Sequence, residues 1–227
     1  MPELTVEAGA THQTIHSFGA SDVWSCQFIG KYWPVEKREQ IADWLFSTDM
    51  DEDNNPRGIG LTAWRFNIGG GSAFQGEATE IDDEWRKPVH RLRKQSPDTN
   101  YKKYDGEIYD SKLLWVMGNF SRFVKPGMTR VSVSGNVVKT YEQMMEDIMP
   151  AAFVSADKSK VTIVLINAGE EDIELSLLLK GLDGIGKMSG YITDSSPGGN
   201  LKYTGSYKKG DLLVVPGHSV TTITNQP

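Results

Sequence analysis

Residues 16–24 read HSFGASDVW and residues 61–72 read LTAWRFNIGGGS. In each, an apolar run breaks at its carboxyl end into glycine, serine and a few polar or aromatic side chains, which is where an α/β barrel places its ligand contacts. Working outward from the first, Trp33-Pro34 followed by VEKREQIADWLF opens a helix. Proline suits the first helical position, and Ile41, Ala42 and Leu45 fall on one face. Strand and helix together make a βα unit. The polar stretch DMDEDNNPRG, from Asp49, reads as a solvated loop before a strand over 59–68. A second βα unit begins there, yet no helix pattern follows Gly69-Gly70-Gly71.

From Ala73 to Gly106 the sequence shows neither a 3.6 nor a 2 period, an unusually long irregular connection for a compact domain. Order returns at Asp110, read as an N-cap, with Leu113, Val116, Met117, Phe120 and Phe123 spaced as the buried stripe of a helix. Pro126-Gly127 ends it. Beyond this point short β-rich runs alternate with turns: 129–133, 151–155, 160–167, 172–179, 188–193, 212–215 and 219–224. Seven or so strands in about 100 residues argue for an antiparallel sandwich, to which Leu4–Ala8 adds a strand. TYEQMMEDIMP, at 140–150, interrupts the strands as a short helix or loop, its methionines filling gaps in the core.

The 227 residues suffice for one large domain or two modest ones. Thirty acidic residues against 24 Lys plus Arg give a net charge of −6, with no long run of either sign, so a nucleic-acid partner is not indicated. No stretch of about 18 apolar residues marks a membrane span, and MPELTVEAG lacks the regions of a signal peptide. The expectation is a cytoplasmic protein or one whose leader has been removed. Cys26 is the single cysteine, which excludes an internal disulfide. His12, His16, His90 and His218 are scattered without ligand spacing, so no metal and no cofactor is assigned. Gly69-Gly70-Gly71 lacks the GxxxxGK[ST] spacing of a phosphate loop.

Phe18-Gly19-Ala20-Ser21-Asp22-Val23-Trp24, then Trp64-Arg65-Phe66-Asn67-Ile68-Gly69-Gly70-Gly71-Ser72, then 109–115 (YDSKLLW) with 118–127 (GNFSRFVKPG), together resemble glycoside hydrolase family 30, and within it the endo-β-1,6-galactanase-like members. The resemblance implies a (β/α)₈ TIM barrel joined to a β-sandwich that is built from an amino-terminal strand and the carboxyl-terminal region. It makes the first two segments the first and second barrel strands and 110–124 the last barrel helix. About 250 residues make such a barrel, whereas some forty separate Ser72 from Asp110. The fold class expected is therefore α/β plus all-β, an incomplete TIM-barrel remnant carrying an antiparallel β-sandwich. The parts are 1–12 (a sandwich strand), 13–125 (the remnant, with an irregular junction near 85–104) and 126–227 (the sandwich).

The family hydrolyses β-linked polysaccharide by retaining double displacement, which needs two carboxyl groups about 5 to 5.5 Å apart. By the resemblance both are glutamates of the missing middle of the barrel, so this chain is expected to be catalytically inactive, with no catalytic residue assigned. The resemblance leaves three substrate-binding positions. Asp22 accepts sugar hydroxyls, Trp24 covers a pyranose face, and Arg65 matches the arginine that orients the nucleophile, its planar fork suited to a carboxylate. Read without the resemblance, Asp22 caps a turn and Trp24 is core. Glu77, Glu80, Asp82, Asp83 and Glu84 read as a solvated acidic loop. The partner implied is a polysaccharide or oligosaccharide, with no nucleic acid and no membrane, and with self-association through the incomplete barrel. The resemblance implies a protein acting outside the cytoplasm, secreted or periplasmic. The alternative function is a non-catalytic carbohydrate-binding sandwich presenting Tyr191, Tyr203 and Tyr207.

Overall fold

Leu4, Val6 and Ala8 alternate with Glu3, Thr5 and Glu7, and this period of two makes the amino terminus a strand with one fully apolar face. The computed structural model describes residues 1–21, 26–66, 105–208 and 210–226. Its elements are β1 (Glu3–Thr14), β2 (Gly19–Ser21), α1 (Cys26–Tyr32), α2 (Val35–Phe46), β3 (Ala63–Arg65), α3 (Lys112–Ser121), β4 (Thr129–Ser134), α4 (Tyr141–Met144), β5 (Ile148–Val154), β6 (Val161–Asn167), β7 (Ile173–Lys180), β8 (Lys187–Thr193), β9 (Lys202–Lys208), β10 (Leu212–Val215) and β11 (Ser219–Thr224).

Nine strands form one sheet in the order β10-β7-β1-β4-β5-β6-β11-β8-β9. The sheet doubles over on itself, because side chains from its two ends share one core: Leu175, Leu179, Leu213 and Val215 from one end, Met188 and Ile223 from the other. Leu4, Val6, Ala8, Ile163 and Leu165 complete that core from the strands between. Burial of this many aliphatic side chains, about 1.5 to 3 kcal/mol each, is the main stabilising term. Irregular register along β1, between Glu7, Thr11 and Thr14, marks where the strand bends along its pairing with β4.

The expected sandwich is present, with three differences. One pairing is parallel, β1 with β7 (Glu3↔Ser176 through Glu7↔Lys180), because the amino-terminal strand inserts between elements that come much later in the chain. Lys202–Lys208 is a strand not foreseen from its polar composition. Ile148, Met149 and Pro150 belong to β5 rather than to the interrupting segment, and Met145 of that segment is exposed rather than filling core.

On the outer side of the sheet lies α3, against β8 and β11. β11 is consequently buried along its whole length on both faces. Its threonines suit the strand by β-branching, and Thr222 Oγ1 donates to Asn119 on the helix while Thr224 Oγ1 donates to Val161 O of β6. The helix differs from its expected form. Ser111 rather than Asp110 is the N-cap residue, and the buried positions are Trp115, Gly118, Asn119, Ser121 and the following Arg122. Leu113, expected inside, is 79% exposed. The helix meets a polar row of strand residues, so its inner face is carried by Asn119 as much as by apolar groups. Pro34 likewise sits at the N-cap of α2, one position before that expected.

Candidate functional site

β2 and β3 form a separate two-stranded parallel sheet, Gly19↔Ala63, Ala20↔Trp64 and Ser21↔Arg65. The two segments that open the sequence argument are thus neighbours running in the same direction, although each strand is three residues long rather than spanning its whole motif. A cluster of hydrogen bonds sets their approach. Phe18 N donates to Thr62 Oγ1 at 3.1 Å, while Thr62 N and Ala63 N both donate to Phe18 O at 2.9 and 3.1 Å. Position 19 must be glycine, since a Cβ there would stand 2.5 Å from Ala63 O.

This pair is tied to the sandwich through α3. Ser121 Oγ donates to Ile59 O at 2.6 Å, Arg122 Nη2 donates to Thr48 O at 2.5 Å, and Ile59 N reaches Trp44 O at 2.8 Å. On its far side the helix is fastened by Asn119, whose Nδ2 donates to Thr193 Oγ1 at 2.8 Å while its Oδ1 accepts from Thr222 Oγ1 at 2.9 Å. Rings bridge the same junction: Trp44 meets Trp115 edge-on, and Phe123 stacks on Tyr191 at 4.5 Å. A rigid core therefore stands behind the short sheet.

At the carboxyl end of the pair Ser21 and Arg65 lie side by side and exposed, with Phe66 exposed beyond them. Trp64 points the other way, packing edge-on against Phe46 at 5.3 Å. Among the described residues Arg65 takes part in no ion pair. Asp22 and Trp24, which follow Ser21 directly, lie outside the described residues, as do Glu77, Glu80 and Glu84. Arg65 is thus the one site residue of the sequence reading whose position is described; it is the last residue of β3 and exposed.

Among the described residues every shifted carboxylate is shifted down. Hydrogen bonds from Ser155 and Ser159 hold Asp157 at about 2, those from Asn55 lower Asp51, those from Ser196 lower Asp194, and the Lys180 ammonium lowers Glu7. All belong to turns or surface ion pairs. No group of three or more His, Cys, Asp or Glu suited to a metal occurs among the described residues.

Two cations at the end of α3 escaped the sequence reading. Arg122 is buried, its Nε lacks a hydrogen-bond partner, and burial lowers its pKa. Lys125 is half-buried and pushed down to about 8, first by burial and then by the Arg122 guanidinium. A charged residue on the inner stripe of a helix was the available signal. The tyrosine surface of the alternative reading is not formed. Tyr191 is 1% exposed and stacked in the core, and Tyr203 and Tyr207 pack against the two cores through half-buried rings.

Comparison with known proteins gives two family matches. The model of O-glycosyl hydrolase family 30 matches residues 2–142, and that of the glycosyl hydrolase family 30 beta sandwich domain matches residues 127–223. Among solved structures, a conserved exported protein from Bacteroides fragilis is similar over 98% of this chain and 100% of that one, at a TM-score of 0.79 and 17% identity. That likeness shows a shared fold. A GH30 endoxylanase from Clostridium papyrosolvens is 23% identical over 50% of this chain and 27% of its own, at a TM-score of 0.38. A family 30 subfamily 8 xylanase from Clostridium acetobutylicum is 26% identical over the same shares, at 0.39. The chain spans about a quarter of the length of these xylanases. No helix among the described residues is long and apolar enough to cross a membrane.

Proposed function

Because the chain belongs to glycoside hydrolase family 30, we propose that it is a carbohydrate-contacting relative of the family's hydrolases that does not itself hydrolyse. In this reading β2 and β3 are the first two strands of a reduced TIM barrel and α3 is its last helix. Residues 1–12 and 126–227 make the sandwich, and 13–125 the remnant. The observation that carries it is the parallel pairing of β2 with β3, which sets Ser21 beside Arg65 at the carboxyl ends of both strands. Side-by-side parallel strands with polar residues at that end are the geometry of a barrel wall.

Thirty-eight residues, 67–104, lie between the end of this wall and the segment leading to α3, too few for six further βα units in a fold of about 250 residues. The likeness to the Bacteroides fragilis protein, which extends over all of that chain, supports taking this short connection as a property of the fold. Asp22 and Arg65 then offer an acceptor and donors to sugar hydroxyls, and Trp24 an apolar face to a pyranose ring. The ligand class is a β-linked polysaccharide, β-1,6-galactan first, met outside the cytoplasm. The open barrel wall is a surface for self-association or for a second chain that completes it.

Purified chain is expected to release no reducing ends from β-1,6-galactan, β-1,6-glucan or xylan. Turnover abolished by Glu77→Gln, Glu80→Gln or Glu84→Gln would overturn the non-hydrolytic reading. In calorimetric titration with galactan oligosaccharides, binding by the wild type and its loss in Trp24→Ala and Arg65→Ala are expected. A wild type that takes up none of the three glycans would refute the carbohydrate-contact reading.

A further inference from the structure

The two outer strands of the nine-stranded sheet are finished in opposite ways. β9 is guarded: its outward residues are Lys202, Thr204, Ser206 and Lys208, all exposed and polar, with a lysine at each end. Its pairing with β8 is also broken by a register shift after Gly190. Lysines and irregular register are the usual means of keeping an edge strand from recruiting another strand. β10, LLVV, has none of them. Leu213 and Val215 turn into the core, while Leu212 and Val214 turn outward and stay 47% and 42% exposed. β10 pairs with β7 on one side, and no described strand pairs with the other.

We propose that this edge is a homodimer contact, in which β10 pairs antiparallel with β10 of a second copy across a two-fold axis. The register follows from the side-chain alternation. Residues directly opposite in an antiparallel pair share a face, so cores stay on one side when the axis passes through a residue, and of these registers the one centred on Leu213 sets both exposed side chains against apolar partners. Leu213 then faces its own counterpart, and Leu212 of each copy faces Val214 of the other. The same register that continues the sheet covers the two exposed apolar side chains of each copy, and Leu178, exposed on the same face of β7, extends the apolar cluster. A second copy fits this edge because the strand is complementary to itself, as an isologous contact requires. Only three residue pairs of the strand meet, so the dimer is concentration-dependent rather than permanent.

The test is sedimentation velocity on the full chain from about 1 µM to about 1 mM, the range that brackets weak association. The wild type is expected to shift from monomer towards dimer. Leu212→Lys/Val214→Lys sets lysine opposite lysine twice across the axis and is expected to hold the protein monomeric, weakening association by about tenfold or more. Leu212→Glu/Val214→Lys sets glutamate opposite lysine twice and is expected to associate again. Both variants place the same lysine beside Glu174, the within-chain partner of position 214, so folding is affected alike. A wild type monomeric throughout would overturn the proposal. So would a double-lysine variant that associates like the wild type, or an opposite-charge variant that stays monomeric while showing the wild-type unfolding transition.

Discussion

Lys125 follows α3 at the junction of the short parallel sheet with the sandwich, half-buried and beside the buried Arg122 guanidinium. Its folded pKa is about 8, against about 10.4 for an unfolded lysine. Between those values the unfolded chain binds more protons, so stability rises with pH. Below about pH 8 the folded state carries the full penalty of holding the charge, and the penalty fades as pH passes through 10.4. Taken whole, the shift corresponds to about 3 kcal/mol at 1.36 kcal/mol per unit. Solvent reaches part of the side chain, and screening reduces this to roughly 1 kcal/mol. Urea unfolding at pH 7, 8, 9 and 10 is the assay, with Lys125→Met and Lys125→Arg beside the wild type. At pH 7 the methionine variant is expected to be more stable by about 1 kcal/mol, which corresponds to roughly 2 to 4 °C in Tm for a chain of this size. That gap should close as pH rises. Lys125→Arg keeps its charge at pH 10 and so should lose the rise. A gap between wild type and Lys125→Met that stays constant from pH 7 to 10 would refute the reasoning, because it would place the effect in packing and not in charge.

Other substitutions at the helix and sheet test the packing directly by the same unfolding measurement. Gly118→Ala places a Cβ 2.7 Å from Leu201 Cδ1 and 2.8 Å from Ile59 Cγ2. Overpacking of about 1 to 3 kcal/mol outweighs the helix-propensity gain of about 1 kcal/mol, so a net loss is expected. Asn119→Ala takes partners from Thr193 and Thr222 in a fully buried position and should cost about 2 to 3 kcal/mol. Thr221→Val removes a buried hydroxyl that has no hydrogen-bond partner and should raise the urea midpoint by an amount worth about 1 kcal/mol, with the slope unchanged.

What the sequence made legible follows from how local each signal was. Leu212–Val215 and Ser219–Thr224 were bounded correctly because alternating apolar residues end in KKGD and PGH turn chemistry on either side. β9 was missed because its inward residues are two tyrosines and a glycine, which leave a weak apolar alternation. The inner face of α3 was misread for a related reason. Apolar spacing favoured Leu113, which is exposed, and rightly Met117, Phe120 and Phe123, which pack on the cores, but the threonine-rich surface of the strands selects Asn119. Parallel pairing of β1 with β7 is a contact between distant parts of the chain, to which no local pattern corresponds. At the candidate site, the two motifs were enough to bring Gly19–Ser21 and Ala63–Arg65 to neighbouring strands. The exposure of Arg65 and the charge pair of Arg122 and Lys125 depend on tertiary burial and were not readable.

The position of β1 between β4 and β7 also orders events during synthesis. β1, made before the other described strands, becomes an inner strand of the sheet, and its partner for Glu3 is Ser176. At about 5 to 20 residues per second, some 10 to 30 s separate the emergence of the two. Through that interval Leu4, Val6 and Ala8 are held by a chain that has not yet produced the strands to cover them. β4 supplies one neighbour first, with Thr5 meeting Ser134, and β7 closes the other side only after Ile173–Lys180 has been made. Folding of the sandwich is therefore completed by the carboxyl-terminal half, and removal of the first dozen residues opens the middle of the sheet instead of trimming its margin.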